Sequence, residues 1–204
     1  MTRAMNGSSG LTIGRPAQFD RQEALEKSVS LFWENGYEAT SLADLLHAMG
    51  IGRQSLYNTF GDKRSLFIEA VRHYIDSNGQ HLLSGLQASG SPVGNIRKTL
   101  ERVVESLVDQ ECKGCFVTNS IIELAPHDEE VRKLAQLMIK RTEKEFKAAI
   151  DRAVTACELS SDTDARATAR FLSSIIHGLV VMGKASASRS VLQDTVRIAL
   201  TTLK

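Results

Sequence analysis

At 204 residues with 42% hydrophobic side chains, the chain is long enough for one large or two small domains with a real core, which excludes global disorder. Its 25 basic and 24 acidic residues leave a net charge of +1, so any nucleic-acid partner must be argued from local placement and not from bulk charge.

The first 13 residues, "MTRAMNGSSGLTI", lack the apolar stretch of a secretory signal and read as a flexible tail, which points to a cytoplasmic protein. Asp20 followed by Glu23 is an N-terminal capping pattern; Leu25, Val29 and Phe32 form one apolar face, and Gly36 supplies a left-handed stop. A first helix is therefore expected near 20–35. Thr40 and Ser41 are placed to cap a short second helix, with Leu42, Leu45, Leu46 and Met49 inward and Gly50 as its end. A third short helix follows from about Arg53 to Thr59. Gly61 breaks it, and Asp62 caps a longer fourth helix that turns Leu66, Phe67, Ala70, Val71 and Tyr74 to one side.

After Gly85 the segment "QASGSPVG" has linker composition. Helical periodicity then resumes with Val93, Ile96, Leu100, Val103 and Leu107, in a shorter element after Gly114, in a long one from Asp128 to about Cys157, and in two more near 162–185 and 190–203. No segment shows sustained strand alternation, so the fold class is all-α with about nine helices. The apolar run from Phe171 to Gly183 is interrupted by serines, His177 and Gly178 and is too short to span a bilayer; no membrane partner is expected.

Two short helices about a glycine bend are the pattern of a helix-turn-helix, in which the first helix braces a second that enters the major groove. Ile51 and Leu56 are suited to pin the pair. Arg53, Gln54, Ser55, Tyr57, Asn58 and Thr59 are left at the face or edge, and these are donors, acceptors and a flat ring. Lys63 lies in the first turn of the next helix, where a cation opposes the helix dipole unless an anion such as a phosphate is near.

The stretch "FWENGYEATSLADLLHAMGIGRQSLYNTFGDKRSLF", residues 32–67, resembles the DNA-binding domain of the TetR (tetracycline repressor) family of bacterial transcription regulators through Phe32, Gly36, Tyr37, Thr40, Gly50, Leu56, Tyr57, Phe60 and Lys63. "GRP" at 14–16 resembles the basic arm that precedes this domain, which makes Arg15 a minor-groove candidate. Gly52 stands where many members carry a Ser or Thr cap; glycine caps more weakly, at a cost of a few tenths of a kcal/mol. The resemblance implies a DNA-binding domain over 14–75, with the helix-turn-helix at about 42–61, and a regulatory and dimerisation domain over 76–204. It also implies a homodimer on a pseudo-palindromic double-stranded operator, released by a small-molecule inducer. DNA contacts are expected from Arg15, Thr40, Arg53, Gln54, Ser55, Tyr57, Asn58, Thr59 and Lys63.

In the second domain, Phe116, Ile122, Met138 and Phe146, with Asn119, Glu123 and His177 as polar groups, are candidates to line a pocket for a largely apolar molecule. Phe171, Ile175, Val180, Val191, Val196 and Leu200 exceed what one buried face needs and are candidates for the dimer interface. Trp33 is expected to pack within the first helix. Cys112 and Cys115 form one Cys-x-x-Cys without a second pair, so neither a metal nor a cofactor is expected. Beside Lys113 and near a helix start, Cys115 is instead a candidate thiol sensor, with Cys112 as its neighbour. No third group is placed to orient a Cys or His nucleophile, so the chain reads as a non-enzyme.

Overall fold

The computed structural model describes residues 19–203 except 109–112, and the backbone alone at 78–82. Among the described residues the chain is helical throughout, and local signals explain where most helices start and stop. α1 (Arg21–Asn35) begins where Asp20 accepts from the backbone N–H groups of Gln22 and Glu23 at 2.8 and 3.1 Å. It ends at Gly36, whose φ of 82° and ψ of 174° turn the chain away while its N–H still reaches the Phe32 carbonyl. α2 (Leu42–Met49) starts on a reciprocal capping box: the Asp44 N–H donates to Ser41 Oγ, and the Ser41 N–H donates to the Asp44 carboxylate. The Ser41 hydroxyl, which donates to the same carboxylate at 2.6 Å, and then the Ser41 N–H hold the Asp44 carboxyl below its ordinary range. Gly50, left-handed at φ 69° and ψ 30°, ends α2.

α3 (Arg53–Phe60) starts from Gly52 with no side-chain cap, and α4 (Lys63–Ser84) starts from Asp62, which accepts from the Ser65 N–H at 2.7 Å. A single 3-10 turn at Gly85–Gln87 leads to α5 (Pro92–Val108). α6 (Phe116–Glu123), α7 (Glu129–Thr155), α8 (Ala165–Lys184) and α9 (Arg189–Ala199) complete the chain, with a last 3-10 turn at Leu200–Thr202. Gly183 lets α8 approach α5, since a Cβ there would lie 3.0 Å from Leu107 Cβ.

Apolar burial organises these helices about two cores. One joins α5, α7, α8 and α9 through Ile96, Leu100, Phe146, Ile150, Leu172 and Leu179. The other joins α1 to α4 through Phe32, Leu45, Leu56, Leu66 and Phe67, and it also takes in Phe116 and Val117 of α6 and Val131 and Leu134 of α7. Edge-on aromatic contacts run through this second core from Phe32 to Phe67 at 5.0 Å, on to Phe116 at 5.6 Å and then to Tyr74 at 5.7 Å. The helices expected to read DNA are thus bonded by packing to α6 and the start of α7. A sequence boundary at residue 76 does not mark where apolar contact ends.

Two groups of interface candidates separate here. Phe171 and Val191 are exposed and Ile175 is half-buried, whereas Val180, Val196 and Leu200 are buried within the protomer's own core. These last three are corrected from interface to core residues: α8 and α9 each carry two apolar stripes, and periodicity does not tell which stripe faces inward. Val181 and Ile198, not singled out in the sequence, are exposed on the same two helices.

Candidate nucleic-acid interface and interdomain cleft

α3 divides into a buried and an exposed face. Leu56 and Phe60 are buried against the first domain's core, which turns Arg53, Gln54, Tyr57 and Asn58 to solvent, with Ser55 and Thr59 half-buried at its flanks. Gln54 Nε2 donates to Asn58 Oδ1 at 2.9 Å, holding two amide side chains side by side one turn apart. Tyr57 is 44% exposed on this outward face. No acidic residue lies in the first turn of α3, so its positive end stays uncompensated.

Lys63 is not merely solvated. Its Nζ stands 4.3 Å from the centre of the Tyr37 ring, a cation–π contact that fixes the ammonium beside α3. Thr40 requires a correction. Its side chain is fully buried and its hydroxyl donates to the Gly36 carbonyl at 2.6 Å, so Ser41 and not Thr40 caps α2. The Thr40 side chain braces the α1–α2 loop and is not at the surface. Arg15 and Cys112 lie outside the described residues.

Between the end of α1, α6 and the end of α8 lies a cleft of about 510 Å³. Phe116, Asn119, Ile122 and Glu123 line it. Phe146 does not, being wholly buried in the second domain's core, and Met138 packs against the first domain's core. His177 stands outside this lining; its Nδ1 lies 3.3 Å from Thr118 Oγ1, a cleft residue, and burial pushes its imidazole below the ordinary value. Trp33 differs from expectation. It lines the cleft, donates from Nε1 to the Lys113 carbonyl at 3.1 Å and packs edge-on against Tyr74.

Several contacts across the two halves were not legible in the sequence. The Glu123 carboxylate accepts from the N–H groups of Tyr37 at 3.0 Å and Glu38 at 2.9 Å. Arg64 of α4 pairs with Asp128 at the start of α7, and Arg72 with Glu130. Cys115 occupies the N-cap position of α6 and packs against both cores. Burial, then the neighbouring Cys115, pushes the Tyr74 hydroxyl above its ordinary value. Among the described residues no three His, Cys, Asp or Glu side chains gather as a metal site, and no helix is long and apolar enough to cross a membrane.

A helix-turn-helix carried on an all-helical body, with a cleft behind it, defines a DNA-binding transcriptional regulator. Residues 24–70 match the family described as bacterial regulatory proteins, tetR family, and residues 92–199 match the tetracyclin repressor-like C-terminal domain. The chain is 39% identical over 193 residues to the uncharacterized HTH-type transcriptional regulator YezE of Bacillus subtilis (strain 168), covering 94% of this chain and 100% of that protein. It is 32% identical to the HTH-type transcriptional repressor ComR of Escherichia coli (strain K12), over 94% of this chain and 90% of that one. Among solved structures it resembles a cysteine mutant of the TetR family transcriptional regulator CifR complexed with 26-bp double-strand operator DNA. There the identity is 32% and the TM-score 0.83, covering 94% of this chain and 100% of that one. The chain belongs to the TetR family of transcriptional regulators.

Proposed function

We propose that the chain is a homodimeric repressor that places two α3 helices in successive major-groove segments of a pseudo-palindromic operator and lets go when a small, largely apolar molecule binds its second domain. The observation that carries this is the split of α3 into buried Leu56 and Phe60 and outward Arg53, Gln54, Tyr57 and Asn58. Arg pairs with guanine and Gln or Asn with adenine at major-groove edges, whereas Tyr57 and Lys63 suit the flanking phosphates. Two helices reading such a site would stand about 34–36 Å apart. The repressor named among the relatives and the operator complex of CifR support the same reading.

The cleft is the inducer site in this reading, with Phe116, Ile122 and Trp33 as apolar wall and Asn119 and Glu123 as polar groups. The exposed Phe171, Val181, Val191 and Ile198 form the dimer face. Mapping bound DNA across the source genome, followed by footprinting of the sites recovered, tests it. Protected sites with a dyad are expected. Footprints without one, or a monomer by sedimentation at micromolar concentration, would sink the dimeric reader.

Cys115 favours one further mode of release, because its partly buried thiol joins both cores and contacts Tyr74. Peroxide would convert that thiol to a sulfenic acid with loss of water, placing an oxygen where the cores meet. Cys115→Ser should bind the same DNA and ignore peroxide; equal release from both proteins would leave the reversible ligand as the signal.

A further inference from the structure

We propose that Glu123 is a positioning residue that couples the cleft to Lys63 through Tyr37. This rests on the phosphate contact assigned to Lys63 above. Glu123 is the last residue of α6 and part of the cleft wall, yet its carboxylate is spent on the first domain. Oε2 accepts from the Tyr37 N–H and Oε1 from the Glu38 N–H, so both oxygens hold consecutive donors of the α1–α2 loop. Two charge-assisted bonds to one short loop fix its height and its rotation, which a single bond would not.

The fit leaves little room for a side chain at the preceding Gly36. A Cβ on Gly36 would lie 3.0 Å from Glu123 Oε2. The φ of 82° at Gly36 aims the two following N–H groups at the carboxylate. Beyond the loop backbone, the Tyr37 ring packs edge-on against Phe67 at 4.9 Å and receives the Lys63 ammonium on its face. Moving Glu123 therefore moves the Tyr37 backbone, the ring travels with it, and Lys63 loses the surface that holds its charge in place. The route has three residues and no gap between them, from the wall of the cleft to a cation beside the reading helix. Arg64 and Arg72 also tie the two halves together, but they meet Asp128 and Glu130 at the start of α7, away from the cleft wall.

The full-length chain tests this with a duplex selected from a random-sequence pool and a random duplex, measured across a salt series. Glu123→Ala should speed amide exchange at Tyr37 and Glu38 and weaken binding to both duplexes about tenfold, within the range of typical coupling, with the salt slope falling by about 1. Its thermal midpoint should fall by a few degrees for the two lost bonds, with the chain still fully folded at the assay temperature. Lys63→Ala should weaken binding in the same way, and the double variant should be no worse than Lys63→Ala alone, although the two side chains do not touch. Should Glu123→Ala fail to fold, Glu123→Gln serves, since it keeps the volume and sets an NH2 group against one of the two donors. Additive losses in the double variant, unchanged amide exchange, or a binding defect matching only a smaller folded fraction would overturn the coupling. If Lys63→Ala bound all DNA like wild type, the phosphate contact would fall and the coupling to it with it, while fast exchange at Tyr37 and Glu38 would still identify Glu123 as the clamp on the loop.

Discussion

Arg64 and Asp128 meet in a two-point ion pair, Nε to Oδ2 at 2.8 Å and Nη2 to Oδ1 at 3.0 Å, that ties the start of α4 to the start of α7. The same Asp128 oxygen that receives Nη2 also accepts from the N–H groups of Glu130 and Val131 and so caps α7. One carboxylate thus satisfies two of the orphan donors of a 27-residue helix and anchors the helix that follows α3. Arg64, then the α7 N–H groups, hold the Asp128 carboxyl below its ordinary range, and Asp128 in turn raises the Arg64 guanidinium.

Asp128→Ala should therefore cost about 1–2 kcal/mol, chiefly the lost cap, because the partner arginine is half exposed and such pairs contribute little alone. The sign of the pH effect follows from a depressed folded-state value. The contribution is complete above the unfolded value of about 4 and disappears as pH falls through the folded one. Denaturant midpoints of wild type and variant should differ at neutral pH and converge below about pH 4. A constant gap down to the acid transition would show that the carboxylate charge is not what stabilises the junction.

Gly36 and Gly50 both have positive φ, but for different reasons. Gly50 is in the ordinary left-handed region and a Cβ there meets nothing within 4 Å, so Gly50→Ala should cost about 1–2 kcal/mol of backbone strain alone. Gly36 combines φ 82° with ψ 174°, a region essentially reserved for glycine, and its missing Cβ faces the Glu123 carboxylate. Gly36→Ala should be the more damaging of the two by urea melts and should also speed exchange at the Tyr37 and Glu38 amides, which Gly50→Ala leaves untouched. Equal costs with no local exchange change would mean that the Gly36 contact with Glu123 is slack.

The first four helices were legible in the sequence because their boundaries are local. Asp20, Ser41, Gly50 and Asp62 act within a few residues of themselves, and the structure uses each one as an end, with Asp44 completing the box at Ser41 as a partner the sequence reading missed. The outward face of α3 was legible for a similar reason, since Leu56 and Phe60 claim the inward positions of a helix only eight residues long. The joints between the halves were not. Glu123 is 86 residues from Tyr37, Asp128 is 64 from Arg64, and nothing in a glutamate at the end of an amphipathic helix says whose N–H it will accept. Thr40 misled because a Thr-Ser pair offers two equivalent caps, and only the depth of the loop decides that Ser41 takes the role. Trp33 looked like an intrahelix packing residue because its partners, Tyr74 and the Lys113 carbonyl, come from elsewhere in the chain.

His177 gives a second pH signature of opposite origin. It sits on α8 with Nδ1 toward Thr118 and with Nε2 buried and unpartnered, so protonation would place charge where little can solvate it. Burial lowers its folded-state value beneath the unfolded one of about 6.5. The neutral ring's contribution is then present above about pH 6.5 and is lost as pH falls from there through the folded value. His177→Leu should flatten the thermal midpoint below about pH 6.5, where wild type declines as pH falls. Parallel pH curves for the two proteins would show that His177 titrates as it does in the unfolded chain.

Affinity and specificity should divide between Lys63 and the exposed face of α3. Lys63 is held against Tyr37 and carries a point charge, which suits a phosphate and reads no base. Arg53 and Gln54 are exposed on α3 and have the fork and amide geometries that match guanine and adenine edges. Gln54 already holds Asn58, so its amide arrives oriented and loses less freedom on binding. Lys63→Ala should weaken selected and random duplexes alike and lower the salt slope by about 1. Arg53→Ala and Gln54→Ala should each cost about 1–3 kcal/mol on the selected duplex and far less on the random one, provided each reads a base. All three positions lie outside the protomer core, so thermal midpoints should stay near wild type. The decisive quantity is the ratio of selected to random affinity at one salt concentration. If that ratio fell for Lys63→Ala and held for both α3 variants, the base-reading surface would have to lie elsewhere in the chain.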